Sequence, residues 1–506
     1  MYLDNTYKSK YSRIKINRLN KIFIKKELYN TDNLLSNVNG YSLDLEQRKA
    51  VITDETSTLI VAGAGSGKSL TMIGKIMYLI ERKQIQEEDI LCITFTREAA
   101  KNLEKNLKKY NNYNIKVYTF HKLALNIIGK GYTISATDTL EYIIDEYFNC
   151  IIHNNAEMVM RLKYILGYID TEYSKILKTK EFLNLKKLVI TFINLFKTNN
   201  YKIDYFLKIK KNKYLVSIIF DIYYLYEEEL KSTNSIDFND MITLSIDKVK
   251  DTNLKYKYII VDEYQDTSYV RYLLLKSIID KTKAKIICVG DDYQSIYRFN
   301  GCDIGMFINF KKYYGYSKIL RINNTYRNSQ ELINVVGSFI MKNKHQLYKK
   351  LKSNKHIKKP IKIMYSNNLY KLLDIVIGEH KEILILGRNN FDINKYFKCV
   401  DGYIIYKNIK IKYLTIHASK GLESECVVII NNIDDILGIP NKMKDEKILS
   451  YVKRSKDNYP YEEERRLFYV ALTRTKTDVY LLVDKKRPSI FIKELIKDYN
   501  DYIEYI

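Results

Sequence analysis

The order of apolar and polar positions divides the chain into regions of different period. Leu59-Ile60-Val61-Ala62 is continuously apolar and runs into a Gly-rich turn, then a helical pattern from Gly67 to Ile80. A second apolar run, Ile90 to Phe95, is followed by its own helix. Short unbroken apolar runs alternating with helices predict a parallel sheet covered on both faces. Residues 122–235 change character. Their long Lys/Tyr/Leu-rich stretches, poor in Gly and free of Pro, predict a helical insertion. Strand-like runs return at Tyr258–Val261 and Ile286–Val289. A second α/β set is expected near Ile383–Leu386, Leu414–Ile416, Val427–Ile430 and Val479–Val483. Near the start, Tyr11, Ile14, Leu19, Ile22 and Phe23 have loose helical spacing among lysines and arginines, which predicts a basic amphipathic helix or arm over residues 1–40.

Composition narrows the class. The chain has 506 residues, room for about three to four domain-sized units. Its 46% hydrophobic content excludes wholesale disorder. No apolar run approaches the ~18 residues of a membrane span; the run Leu215–Tyr226 is broken by Asp221. Met1–Lys10 has no apolar core of the kind a signal peptide needs. The six cysteines are scattered without a CxxC pair, so neither a disulfide framework nor a zinc site is expected. Cys92 and Cys288 fall inside apolar runs and read as core residues. No membrane partner and a reducing, cytoplasmic setting follow as expectations. The 84 Lys+Arg against 59 Asp+Glu leave +25, which points to a polyanion, nucleic acid first. An AT-rich coding composition is the competing explanation, and 47 Tyr with no Trp conform to it. The basic arm then either packs on the body or contacts DNA.

Two motifs carry chemistry. Ala62-Gly63-Ala64-Gly65-Ser66-Gly67-Lys68-Ser69 is a Walker A loop between a strand and a helix. Glycines let backbone N–H groups close around phosphate oxygens at a helix N-terminus. Lys68 is expected at the β/γ-phosphates of ATP, and Ser69 on Mg²⁺. Tyr258-Ile259-Ile260-Val261-Asp262-Glu263 supplies the carboxylates of Walker B. Asp262 would hold Mg²⁺ and Glu263 would polarise the attacking water.

Val261-Asp262-Glu263-Tyr264-Gln265-Asp266 resembles motif II of superfamily 1 helicases of the UvrD/Rep type, and further motifs follow in order from Gln47 to Arg474. Leu45-Glu46-Gln47-Arg48 resembles the Q motif, which implies that Gln47 pairs with the adenine edge. Thr94-Phe95-Thr96-Arg97 and Thr119-Phe120-His121 resemble motifs Ia and Ib. In the family these line a single-strand track, which implies Phe95, Thr96, Thr119 and His121 as DNA contacts; core packing is the competing reading for Phe95 and Phe120. Arg97 stands where the family usually has Asn. Gly290-Asp291-Asp292-Tyr293-Gln294-Ser295-Ile296-Tyr297-Arg298-Phe299 resembles motif III, implying Gln294 as γ-phosphate sensor and Tyr297 and Phe299 near bases. Thr325-Tyr326-Arg327 resembles motif IV, with Tyr326 against the base and Arg327 at the γ-phosphate. Thr415-Ile416-His417-Ala418-Ser419-Lys420-Gly421-Leu422-Glu423 resembles motif V, with Thr415 and His417 on the DNA backbone and Glu423 on the ribose. Glu463 to Arg474 resembles motif VI, with Arg474 the second arginine finger. Ser295–Phe299, Thr415–Gly421 and Pro488-Ser489-Ile490-Phe491 resemble the helicase IV-like members.

The resemblance implies an α/β fold of two RecA-like P-loop NTPase domains, parallel sheets flanked by helices, with an α-helical insertion in the first. Residues 41–121 and 236–305 form the first domain in this reading, 122–235 the insertion and 306–506 the second domain. The family places a large inserted subdomain between Arg388 and Thr415, and so short a stretch implies that it is missing or vestigial. The implied activity is ATP-dependent 3′→5′ single-strand DNA translocation and unwinding, with single-stranded DNA and ss/ds junctions as partners. A motor subunit of a nuclease-coupled defence or repair complex is the alternative. A factor that remodels RNA polymerase would need a longer N-terminal arm, and a nonenzymatic DNA-binding protein would not need Lys68, Asp262, Glu263, Arg327 and Arg474. The basic run Lys342, Lys344, Lys349, Lys350 and Lys352 either follows strand phosphates or is a solvated helix face.

Overall fold

A computed structural model describes residues 2–5, 8–152, 154–455 and 459–506. Ser57–Ala62 is buried at every position, as a strand covered on both faces must be. It sits in a parallel six-stranded sheet. The order runs Val117–Thr119, Ile90–Thr94, Tyr258–Val261, Lys285–Gly290, Ser57–Ala62, Lys318–Ile322. Cys92 and Cys288 are fully buried in it. The last strand corrects the expected domain boundary at residue 305: the first sheet runs on to Ile322. Its sequence, Lys-Ile-Leu-Arg-Ile, interleaves charge with apolar residues, because an edge strand faces solvent on one side.

The insertion is also shorter than 122–235. Helix Phe120–Ile128 buries Leu123, Ala124, Ile127 and Ile128 in the core that holds Ile259 and Val261. It packs on helix Phe238–Lys248. Two short parallel strands, Thr133–Ile134 and Ser235–Ile236, close the neck. Beyond them, helices Thr139–Glu146, Ala156–Leu166, Lys180–Thr198 and Lys213–Ser232 build a separate core. Ile448, Leu449 and Val452, which belong to the second motor domain, are buried in that same core.

The second sheet has seven strands in the order Tyr403–Tyr406, Ile409–Thr415, Ile383–Gly387, Cys426–Asn432, Val479–Val483, Ile361–Tyr365, Ile503–Tyr505. All pairings are parallel except the hairpin of the first two. Between Arg388 and Thr415 the chain makes a 3₁₀ turn at Asp392–Lys395 and that hairpin. Helix Lys10–Asn30 lies on the first domain. Phe23, Ile24 and Leu28 pack against its core, and buried Glu27 accepts from Arg82 Nε at 2.8 Å. The Tyr2 hydroxyl and the Asn5 backbone N–H both donate to Glu55. The arm therefore packs on the body. No helix among the described residues is long and apolar enough to cross a membrane.

Candidate functional site

The phosphate loop, the Walker B carboxylates and two arginines of the second domain meet at one cavity of about 560 Å³. Gly67 lies in the left-handed region at φ 74° and opens helix Lys68–Met77. Gly65, at φ 68°, has no room for a side chain: a Cβ there would lie 2.5 Å from Arg327 Cβ. Motif IV is thus packed directly on the loop. The Thr325 hydroxyl donates to the Ala64 carbonyl at 2.7 Å, and the Tyr326 N–H to the Gly65 carbonyl at 2.9 Å. Gly65, Ser66, Gly67, Lys68 and Ser69 line the cavity, whereas Ala62, Gly63 and Ala64 stand behind it. Tyr326 and Glu423 line it too, with the Tyr326 hydroxyl donating to Asp44 Oδ2 at 2.7 Å.

Lys68 Nζ lies 3.0 Å from Glu263 Oε1. Burial opposes the lysine charge, but Glu263, Asp291 and Asp262 outweigh it and raise the ammonium above its ordinary range. Burial and the adjacent Glu263 raise Asp262. For Glu263, Lys68 and Lys420 outweigh burial and hold the carboxyl low, so it stays ionised. Gln294 Nε2 donates to Asp291 Oδ2 at 2.7 Å, and Gln294 Oε1 accepts from Arg474 Nη2 at 3.1 Å. Burial, with the neighbouring Arg327 charge, pushes the Arg474 guanidinium down. It donates to the carbonyls of Val470 and Leu422 and to the Gln294 amide oxygen, all neutral. Arg327 Nε sits on Glu423 Oε2 at 2.7 Å. An under-neutralised arginine beside the phosphate loop is built to receive an anion. Ser69 and the Asp262 carboxylate face the same space; these hard oxygen donors fit Mg²⁺, which takes few protein ligands and completes its shell with phosphates and water.

Gln47 is buried, its Oε1 accepts the Asp44 N–H at 2.9 Å, and its Nε2 donates to the Ser66 carbonyl at 3.1 Å. One bond at each end of the amide caps the helix Leu45–Ile52 and braces the loop, and each end keeps a second donor or acceptor site.

The expected DNA contacts divide between two grooves. Phe95, Thr119 and His121 line one of about 450 Å³ on the first domain. Burial, then the Arg271 and Arg97 charges, push His121 down to about 4. The Thr119 hydroxyl caps the helix Phe120–Ile128. Thr96 caps the helix Arg97–Asn111 and, with Phe95, also lines the first cavity. Phe120 is a core residue at 2% exposure. Phe95 remains part-exposed, with the Arg271 guanidinium 4.6 Å over its ring. The larger groove, about 1070 Å³, lies between the domains and holds Phe299, Thr415 and His417. Burial, then Arg388 and Lys420, push His417 down to about 4, so at neutral pH its ring is an uncharged hydrogen-bonding group. Tyr297 lines the nucleotide cavity rather than the groove, and its hydroxyl donates to the His417 carbonyl at 3.3 Å.

Lys420 and Phe391 carry no assigned role in the reading of the sequence, and Lys349 takes neither of the two places offered for it. Lys420 crosses from the second domain to pair with Asp266 and donates to the Gln294 carbonyl at 2.7 Å. Phe391 enters the interdomain groove from the second domain. Lys349 leaves the proposed phosphate track altogether. Its side chain is 1% exposed and paired with Asp291 and Asp292 beneath motif III. Lys342 is likewise engaged, with Glu494 at 2.8 Å.

This arrangement coincides with a match to the family model of the UvrD/REP helicase N-terminal domain over residues 43–315, and to that of the UvrD-like helicase C-terminal domain over 401–486. The first match alone covers more than half of the chain. The chain belongs to the UvrD/REP helicase family. Among its relatives, DNA helicase IV of Escherichia coli (strain K12) is 27% identical over 492 residues, 91% of this chain and 71% of its own. ATP-dependent DNA helicase Rep of Buchnera aphidicola subsp. Acyrthosiphon pisum (strain APS) is 30% identical over 443 residues, 79% and 64% of the two chains. ATP-dependent DNA helicase PcrA of Bacillus subtilis (strain 168) is 28% identical over 336 residues, 63% and 42%. The chain thus spans only part of the length of these relatives. The first match takes in five of the six strands of the first sheet and the second match four of the seven of the second.

Proposed function

We propose that the chain is an ATP-driven single-strand DNA translocase and 3′→5′ helicase. The carrying observation is the single cavity in which Lys68, Asp262, Glu263 and Gln294 of one domain face Arg327 and Arg474 of the other. Lys68 would leave Glu263 for the β/γ-phosphates, and Glu263 would then accept a hydrogen bond from the attacking water. Arg327 would exchange Glu423 for the γ-phosphate, beside Arg474. Arginines placed this way stabilise transition-state charge by ~10³–10⁵ in rate. Mg²⁺, held by Ser69 and Asp262, would neutralise phosphate charge and fix the phosphates in line. Tyr326 would cover the base and Glu423 would reach the ribose.

Phosphate binding would draw the two domains together, because the cations lie on one side of the cleft and the loop on the other. Strand contacts on both sides of the interdomain groove would then shift with each cycle. Polarity rests on family membership. The short stretch between Arg388 and Thr415 favours a second reading, a motor subunit whose unwinding depends on a repair or defence partner.

The test is unwinding of matched 3′-tailed and 5′-tailed duplexes, with and without ATP, with Lys68→Ala as control. ATP-dependent displacement from the 3′-tailed duplex alone is expected, with single-strand binding kept in Lys68→Ala. Displacement from the 5′ tail, or hydrolysis surviving in Lys68→Ala, overturns the assignment. Translocation without displacement favours the partner-dependent motor.

A further inference from the structure

We propose that the helical insertion carries a docking groove for an acidic peptide segment with large apolar side chains, set between residues 203–209 and the start of helix Lys213–Ser232. The inference goes beyond the motor reading and stands without it. The groove shares no lining residue with the nucleotide cavity, and it is tested without ATP or DNA.

The groove encloses about 420 Å³. Its floor belongs to the insertion's own core, where Phe206, Ile209 and Val216 are buried. Phe206 is held among other rings, with Phe196 at 4.7 Å and Phe220 edge-on at 5.4 Å. A floor packed in this way does not collapse into the space above it. The rim is different. Helix Tyr205–Lys208 is a single turn, and successive side chains on a helix point about 100° apart. Burying Phe206 therefore turns Leu207 outward, where it is 86% exposed, and Ile203 stands beside it at 45%. One exposed leucine is ordinary; next to a concave apolar floor it marks a contact surface.

Charge selects the occupant. Lys202, Lys208, Lys210, Lys211 and Lys213 interleave with the lining residues, and all five are exposed. None of them pairs with an acid among the described residues, whereas Lys186 and Lys197 of the same insertion do. Asp204 is the one acid among residues 202–213. Helix Lys213–Ser232 adds the positive end of its dipole, with no side-chain cap and no acid in its first turn. An apolar floor inside a cationic rim is complementary to carboxylates that flank large apolar side chains. Phosphates would use the lysines and leave the floor empty. Bases stack on open aromatic faces, but the exposed apolar lining here, Ile203 and Leu207, is aliphatic.

The wall of the groove also touches the second motor domain. Tyr205, between Asp204 and Phe206, donates to the Tyr451 carbonyl at 2.8 Å, and Asn199 Nδ2 donates to the Val452 carbonyl at 2.8 Å. A bound segment therefore lies one residue from a contact between the insertion and that domain.

The experiment selects binders to the full chain from a random-peptide library displayed on phage, then reads the affinity of the selected peptides by fluorescence anisotropy. These peptides are expected to combine Asp or Glu with Leu, Ile or Phe, and to bind more weakly as salt rises. Leu207→Ser should weaken them by about 10- to 150-fold, the worth of one buried leucine. Lys208→Glu with Lys211→Glu should weaken them and flatten the salt dependence. All three positions are exposed, and circular dichroism checks that the fold is kept. No enrichment, enrichment of peptides without acids, or full affinity in Leu207→Ser overturns the docking site. Duplex DNA that displaces the peptides, and loses affinity in the lysine variant but not in Leu207→Ser, makes the face a phosphate surface. A concentration-dependent dimer that is lost in Leu207→Ser makes it a contact between copies of the chain. Either result also overturns the inference.

Discussion

Lys349→Met should cost the protein about 3–5 kcal/mol of stability while leaving the salt dependence of DNA binding unchanged. Lys349 Nζ lies 2.6 Å from Asp292 Oδ1 and contacts Asp291, and all three side chains are at most 1% exposed. At that separation and an effective dielectric of ~20, each pair attracts by about 6 kcal/mol. Desolvation of three ions cancels much of the sum, so the intact cluster is worth little net. Removing the cation alone leaves two buried carboxylates facing each other, and that is where the loss arises. The sign with pH follows. Burial raises Asp292, Lys349 opposes the rise and Asp291 adds to it. Without Lys349 the folded-state value rises further above the unfolded one, so protonation favours the folded form. That contribution is present at low pH and is lost as pH rises through the folded-state value. The deficit of Lys349→Met should therefore be larger at pH 8 than at pH 5. Urea unfolding followed by circular dichroism at both pH values measures it, and Lys349→Met combined with Asp292→Asn should recover part of the loss. A change below about 1 kcal/mol, or a flatter salt dependence of DNA affinity at full stability, would return Lys349 to the phosphate track.

Two further outcomes test Gln47 and Ile448. Gln47→Ala should raise the KM for ATP and for GTP alike, by about 5–10-fold, the worth of one or two hydrogen bonds that brace the loop; a loss confined to ATP would place Gln47 on the adenine edge. Ile448→Ala removes about 2–5 kcal/mol of packing between the second domain and the helical insertion and should raise the ATP consumed per base pair opened while basal hydrolysis stays within about twofold; an unchanged ratio would make the contact structural only.

What could be read from the sequence was chemistry that must be contiguous. A phosphate loop needs its glycines, lysine and serine within one turn, and Walker B needs its acids at one strand end, so Lys68, Ser69, Asp262 and Glu263 were legible without coordinates. Gln294, Arg327, Arg474 and Glu423 were legible only through resemblance, because the cleft that joins them closes over long loops. The contacts that were not legible share a cause. Lys349 looks like its basic neighbours in sequence, and only the fold sets it under Asp291 and Asp292. Gln47 carries the same amide whether it faces adenine or the Ser66 carbonyl. Strand Lys318–Ile322 has the mixed pattern of an edge, and Ile448, Leu449 and Val452 form a patch too short for any period to report.

In the proposed motor, motif III would couple the nucleotide to the strand. Gln294 bonds Arg474 at the cavity, and Phe299 lines the groove a few residues on. The link between them has little freedom. Ile296 is fully buried, the Ser295 carbonyl accepts from Arg466 Nε at 2.6 Å, and Lys420 holds the Gln294 carbonyl. At the near end a Cβ on Gly290 would lie 2.7 Å from Phe307; at the far end one on Gly301 would lie 2.5 Å from Thr198 of the helical insertion. Close-packed segments move as units rather than bend. In the proposed motor, a shift of Arg474 toward a phosphate would carry the Phe299 ring with it. The insertion, pressed on Gly301 and plugged by Ile448, Leu449 and Val452, would receive that displacement from both domains.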